Sequence, residues 1–209
     1  GTIATSALTS TSSYWSISSK TLDGVSSNML RINLWSNSYK YWAVTPSINL
    51  GTDLENPKQI AFSVAVTDYA DSNPPEVASP DDRFMVLVSR DNGATWNMAD
   101  GIVFADSDED TEHNFADLTN HLQRYAYKLV DENDEPLTGT VRFAFYAEST
   151  VDNADNDLVV EDISVEEWSE CPAPYNVSIS GITSSTATAS FGTWGPATTW
   201  EYVVVEGVG

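Results

Sequence analysis

The stretch Phe84–Trp96, FMVLVSRDNGATW, decides the fold class. Phe84 to Val88 is an unbroken apolar run, and Val and Phe suit a pleated, packed surface. Asn92-Gly93 then supplies residues that tolerate φ > 0, as a tight turn demands. Thr95-Trp96 resumes strand-forming chemistry. The spacing predicts a strand, a tight turn and a returning strand.

Working outward, the same period of two recurs. Ile60, Phe62, Val64 and Val66 alternate with Ala61, Ser63 and Ala65. Leu30, Ile32 and Leu34 alternate with Arg31, Asn33 and Trp35. Val141, Phe143 and Phe145 alternate with Arg142, Ala144 and Tyr146, and Leu158–Val165 reads as a further strand. Trp42–Leu50 reads as a strand that Pro46 confines to an edge or a bulge. The Ser/Thr-rich residues 1–20 read as an edge strand or a lead-in. Phe115–Tyr127 reads as a short helix or an irregular crossing. Asp68–Asp82 is a loop long enough to be functional or mobile. Many strands with turns between them and few helical periods predict an all-β chain, an antiparallel β-sandwich. Phe62, Val64, Phe84, Val86, Phe143 and Phe145 are expected in one core.

The chain has 209 residues, with 9 Lys and Arg against 31 Asp and Glu, a net charge of −22. Such a chain repels phosphate backbones, so nucleic acid is not an expected partner. Its 23 aromatic residues (7 Trp, 9 Tyr, 7 Phe) separate it from disordered acidic tails. The single cysteine, Cys171, forbids an internal disulfide framework and reads as a small filler at a linker. No apolar run reaches the length of a transmembrane helix.

At Cys171-Pro172 the composition shifts to Ser, Thr and Gly, which divides the chain into residues 1–168 and 169–209. Tyr175–Ile182, Thr186–Phe191 and Thr199–Val205 read as three strands. This tail resembles the opening of a fibronectin type III domain, which implies a partial immunoglobulin-like sandwich.

Ser89, Asp91, Gly93, Thr95 and Trp96 fit S-x-D-x-G-x-T-W, which resembles the Asp-box of sialidases and other secreted β-proteins. An Asp side chain bonds its own turn backbone without any ligand, so the motif reads first as a turn device. A sialidase repeats the box, and one copy occurs here. In series, residues 42–50, 60–66, 84–96, 141–149 and 158–165 resemble the choice-of-anchor J and cleaved-adhesin domains of Bacteroidota-type surface proteins. These are similar in shape to MAM domains and concanavalin-like jelly rolls. The resemblance implies a jelly-roll sandwich in an exported or cell-surface protein, with adhesive rather than catalytic work.

Three chemistries compete for the site. Catalysis finds little support. His113 and His121 lack a zinc spacing, and neither a G-x-S-x-G elbow nor a phosphate loop occurs. Paired carboxylates for glycoside hydrolysis arise by chance among 31 acids. A structural calcium is the second candidate. Glu161 and Asp162 interrupt an apolar strand, and a buried carboxylate needs a donor or a metal. Asp162, expected to be buried, is the first candidate ligand. Glu161 stands beside it, and Asp68 or Asp157 could join from loops. The run Asp106–Glu112 lacks an EF-hand pattern and reads as a solvated loop. Carbohydrate is the third. Sugars stack on aromatic rings and bond fixed polar groups. Trp35, Tyr39 and Trp42 cluster in sequence. Arg142 and Tyr146 are expected to share a non-core face with Ser63, Ala65 and Ala144. The residues therefore point to an extracellular recognition module for a glycan or a protein. A structural spacer and a hydrolase are the alternatives.

Overall fold

The computed structural model describes residues 2–4, 14–35, 39–69, 71–76, 82–105, 113–150, 155–169 and 174–192. The chain divides into two compact units, Gly1–Trp168 and Ser169–Gly209.

The first unit is a two-sheet β-sandwich of jelly-roll type. Its strands are β1 (Thr2–Ala4), β2 (Ser16–Leu22), β3 (Val25–Leu34), β4 (Tyr39–Val44), β5 (Ile48–Asn49), β6 (Lys58–Asp68) and β7 (Arg83–Ser89). β8 (Thr95–Asn97), β9 (Gly101–Ala105), β10 (His113–Asn114), β11 (Gln123–Leu129), β12 (Thr140–Ser149) and β13 (Asn156–Glu167) follow. The first sheet runs β10-β9-β7-β12-β4, with β5 also on β12. The second runs β11-β6-β13-β3-β2. Every ladder among these is antiparallel except the short β10–β9 pair.

Alternation drives the two sheets together. Phe84, Val86, Phe143 and Phe145 from one sheet join Phe62, Val64, Leu158 and Val160 from the other in a single core. Phe62 stands edge-on to Phe84 at 6.0 Å and to Phe145 at 6.3 Å, the arrangement that aromatic quadrupoles favour. The six residues expected in one core are there.

Three expectations change. Trp42–Leu50 is not one strand: Pro46 lies between β4 and β5, because proline offers no ladder donor. Residues 115–127 form a 3-10 turn at Phe115–Asp117 and then strand β11, whose Tyr125, Tyr127 and Leu129 lean on the core. The returning strand of the 84–96 hairpin is the third. The turn forms as expected, with Asn92 at φ 61° and Gly93 at φ 86°. But β8 leaves the sheet to pair with β1, and the true partner of β7 is β9. Gly101 permits that pairing: a Cβ there would sit 2.2 Å from the carbonyl oxygen of Val86.

In the second unit, β14 (Tyr175–Ser180) and β15 (Thr188–Gly192) form an antiparallel ladder. Val177, Ile179 and Ile182 are exposed. Cys171, the 199–205 strand and the acidic run 106–112 lie outside the described residues.

Candidate binding face

Strand alternation assigns every β-residue to the core or to an outer face. Ser63 and Ala65 lie on the outer face of the second sheet, and Arg142, Ala144 and Tyr146 lie on the outer face of the first. The single non-core face expected from the sequence is therefore two faces, on opposite sides of the sandwich. Periodicity gives the side of a strand, not which sheet the strand joins.

The outer face of the first sheet is sealed. Trp42 and Tyr146 are 6% and 5% exposed. Their rings meet at 4.5 Å, and Trp96 lies 6.2 Å from Trp42. Met85, Leu87 and Ala144 complete the cluster. The Tyr146 hydroxyl donates to the Glu148 carboxylate, and burial pushes its pKa well above the ordinary phenol range. The Arg142 Nε donates to Ser47 Oγ (3.2 Å) and Asn92 Oδ1 (3.0 Å), tying the β7–β8 turn to the β4–β5 break. These residues pack; they do not present a sugar platform. Tyr39 belongs to β4, and its side chain lies outside the described residues.

The outer face of the second sheet differs at the end where β3, β13 and β6 meet. Leu34 pairs with Asn156, which pairs with Asp68. Trp35 and Tyr69 therefore follow on either side of Asp155, about 10 Å apart at two strand spacings. They are 45% and 53% exposed. The Tyr69 N–H donates to the Asp155 carbonyl at 2.9 Å. The Arg31 guanidinium sits 5.6 Å from the Tyr69 ring centroid, within cation–π reach.

A buried charge network underlies this end. Asp157 has no exposed surface. Its Oδ2 lies 2.6 Å from an Arg31 nitrogen and 2.9 Å from Lys20 Nζ. Lys20 also donates to Thr67 Oγ1 at 2.5 Å. Two of the chain's nine cationic side chains thus converge on one carboxylate. Asn33 Nδ2 donates to Asp155 Oδ1 (2.7 Å) and the Asn156 carbonyl (3.0 Å). The arrangement can stack apolar ring faces and bond hydroxyl groups between them. Arg31, Asn33 and Trp35 share one side of β3, so their alternation already grouped them. Tyr69 and Lys20 escaped the sequence reading, because only strand pairing brings them alongside.

The four carboxylates expected to hold calcium do not converge. Asp157 is satisfied by cations. Asp68 accepts the Asp71 backbone N–H at 2.9 Å, the main reason its pKa is lowered. Glu161 accepts from Ser27 Oγ. Asp162 is exposed rather than buried: a bulge between Glu161 and Ser164 breaks the alternation, with Asp162 at φ 50°. Arg124 donates to its carbonyl oxygen at 3.1 Å and to its carboxylate. Among the described residues no group of three or more His, Cys, Asp and Glu is arranged to hold a metal ion.

The Asp-box is a closed circuit. Asp91 Oδ1 accepts from Ser89 Oγ (2.6 Å) and the Thr95 N–H (2.9 Å), and Oδ2 accepts from Thr95 Oγ1 (2.6 Å). The Ser89 bond, then the Thr95 bonds, hold the Asp91 carboxyl far below the usual range. His113 stacks on Phe104 at 5.0 Å, whereas His121 pairs with Asp23 across the surface. The two histidines serve separate contacts, His113 a ring stack and His121 a surface hydrogen bond.

No family model matches the chain, and no curated protein matches it. Among solved structures, one described as "CBM4 structure and function" is similar at 12% identity and a TM-score of 0.39, covering 74% of this chain and 92% of that one. A second, "Structural analysis of an exo-beta-agarase", is similar at 11% identity and a TM-score of 0.38, covering 74% of this chain and 23% of that one. No helix among the described residues is long and apolar enough to cross a membrane.

Proposed function

We propose that the first unit is a non-catalytic recognition module of an exported protein, and that it takes carbohydrate on the outer face of the second sheet. One observation carries the reading: Trp35 and Tyr69 are both half-exposed on either side of a fixed polar network. Exposed indole and phenol rings are costly to leave in water and suit the apolar face of a pyranose. The Asp157 network holds the Arg31 guanidinium against the Tyr69 ring, so little ordering remains to be done on binding. A net charge of −22 disfavours sulfated or sialylated glycans, so neutral glycans are the ligand class. Each ring is worth about 1 kcal/mol, so a single module binds weakly and gains from multivalent display.

The test is retention of the full chain in gels carrying neutral plant, algal or bacterial polysaccharides, with Trp35→Ala and Tyr69→Ala beside it. Retarded migration that both variants lose, at unchanged melting temperature, is the expected result. Migration unaffected by any polysaccharide would favour the spacer reading, and capture of an extracellular protein through Trp35 would favour a protein ligand.

A further inference from the structure

The end of the sandwich opposite Trp35 and Tyr69 holds a small cleft, and we infer that it binds a single neutral sugar unit through that unit's hydroxyl groups. The cleft and the proposed binding face are separate sites, and neither depends on the other. Val88, Arg90, Asp91, Thr95, Asn97 and Asp100 line a volume of about 210 Å³. Arg90 fixes where it lies. Its Nη2 donates to Asp100 Oδ1 at 3.1 Å and to the Val130 carbonyl at 3.3 Å. Val130 follows Leu129, which pairs with Lys58 at the start of β6. Tyr69 follows Asp68 at the other end of that strand.

The Asp-box turn builds one wall. Thr95 and Asn97 project from one side of β8, and Trp96 projects from the other into the sealed cluster. The Thr95 hydroxyl holds Asp91 Oδ2 at 2.6 Å. Backbone bonds set the opposite wall: the Asp100 carbonyl accepts from the Val88 N–H, and the Asp100 N–H donates to the Asn97 carbonyl, both at 2.9 Å. The lining is therefore held before any ligand arrives, so little ordering remains to be done on binding.

The capacity these residues leave unspent sets the ligand class. Asp91 Oδ2 accepts one bond, from Thr95, and a carboxylate oxygen has room for a second. Asp100 Oδ2, Asn97 Nδ2 and the Nε and Nη1 of Arg90 make no hydrogen bond among the described residues. Acceptors and donors thus stand side by side, and a hydroxyl group, being both, satisfies either. An anion would meet two carboxylates, and a cation would meet the Arg90 guanidinium. A neutral polyhydroxyl compound meets no like charge. The volume sets its size: it equals about seven water molecules at about 30 Å³ each, room for one sugar ring. None of the six lining residues is aromatic, so the unit is held edge-on by hydrogen bonds rather than stacked on a ring.

The experiment is NMR titration of the full isotope-labelled chain with the methyl glycosides of glucose, galactose, mannose and N-acetylglucosamine, and separately with calcium chloride. At least one glycoside is expected to shift the amides of Arg90, Asp91, Thr95, Asn97 and Asp100 with a Kd in the millimolar range, as a few hydrogen bonds without a stacked ring allow. Asn97→Ala and Asp100→Asn should each weaken that binding about fivefold, in variants whose remaining amide signals overlay those of the parent. Affinity unchanged in both variants would overturn the inference. Shifts confined to Trp35 and Tyr69 would overturn it too, and would support the binding face instead. Shifts of the cleft amides by calcium at lower concentration than by any glycoside would overturn the neutral class. No shift with any glycoside would overturn the inference and leave the polysaccharide reading of the other face standing.

Discussion

The two outer faces of the sandwich are built from the same alternating strands and the same residue types, yet they end in opposite conditions. On the first sheet, Trp42, Trp96 and Tyr146 pack on one another and are almost wholly buried. On the second, Trp35 and Tyr69 stand about half exposed over a buried carboxylate held by two cations. The difference is the ground on which the proposed binding face rests. Aromatic residues that bury themselves stabilise the fold. Half-exposed aromatic residues beside a fixed polar network are the ones we propose as a ligand surface. An inventory of aromatics does not separate the two cases; burial does.

The sharpest way to break this comparison is to truncate one aromatic on each face. Trp42→Ala removes a buried ring and should cost about 3–5 kcal/mol, read as a lowered denaturant midpoint. Trp35→Ala, at a half-exposed ring, should lower stability by distinctly less, about 1 kcal/mol. Equal costs for the two would mean that Trp35 is a packing residue after all.

The second test removes the foundation of the open face. Asp157→Ala leaves Arg31 and the nearly buried Lys20 without their shared counter-charge, and should cost about 3 kcal/mol. It should also free Arg31 from its place beside Tyr69. A loss below about 1 kcal/mol would show the network to be an ordinary surface pairing.

The third test lies at the Asp-box turn. Asp91→Asn weakens bonds to Ser89 and Thr95 and should cost about 1 kcal/mol at neutral pH. The sign with pH follows from the depressed pKa of Asp91. The unfolded chain takes up the proton first, near pH 4, so the carboxylate's contribution is complete above that value and declines as pH falls toward the folded pKa. The gap between parent and variant in urea midpoints should therefore narrow below about pH 4. A gap that widens with acid would show that the bonds do not favour the ionised form.

Reading the chain alone went furthest where a residue's environment is local. The period of two in residues 60–66 and 141–146, with the apolar run 84–88, named the core, because successive side chains of a strand must take opposite sides whatever the strand's neighbours. The Asp-box turn was legible for the same reason: Ser89, Asp91 and Thr95 bond within a span of a few residues. The GIVFA strand at 101–105 and β11 were harder. Gly101 and a short polar lead-in disguised the first, and intermediate burial along β11 weakened its contrast. Asp162 was misjudged because a bulge shifts the alternation without a sequence mark such as Gly.

What the amino-acid order determined by itself was a β-sandwich with its six core residues, a net charge of −22, and a self-satisfied turn at Asp91. What only the tertiary structure decided was which strands share a sheet. That choice put Arg142 and Tyr146 on one side and Ser63 and Ala65 on the other. It also brought Lys20, Arg31 and Asp157 together from three strands, and set Tyr69 across β13 from Trp35. The physical reason is that ladder pairing joins residues far apart in the chain, with |i−j| = 137 between Lys20 and Asp157, and no local pattern carries the choice of partner.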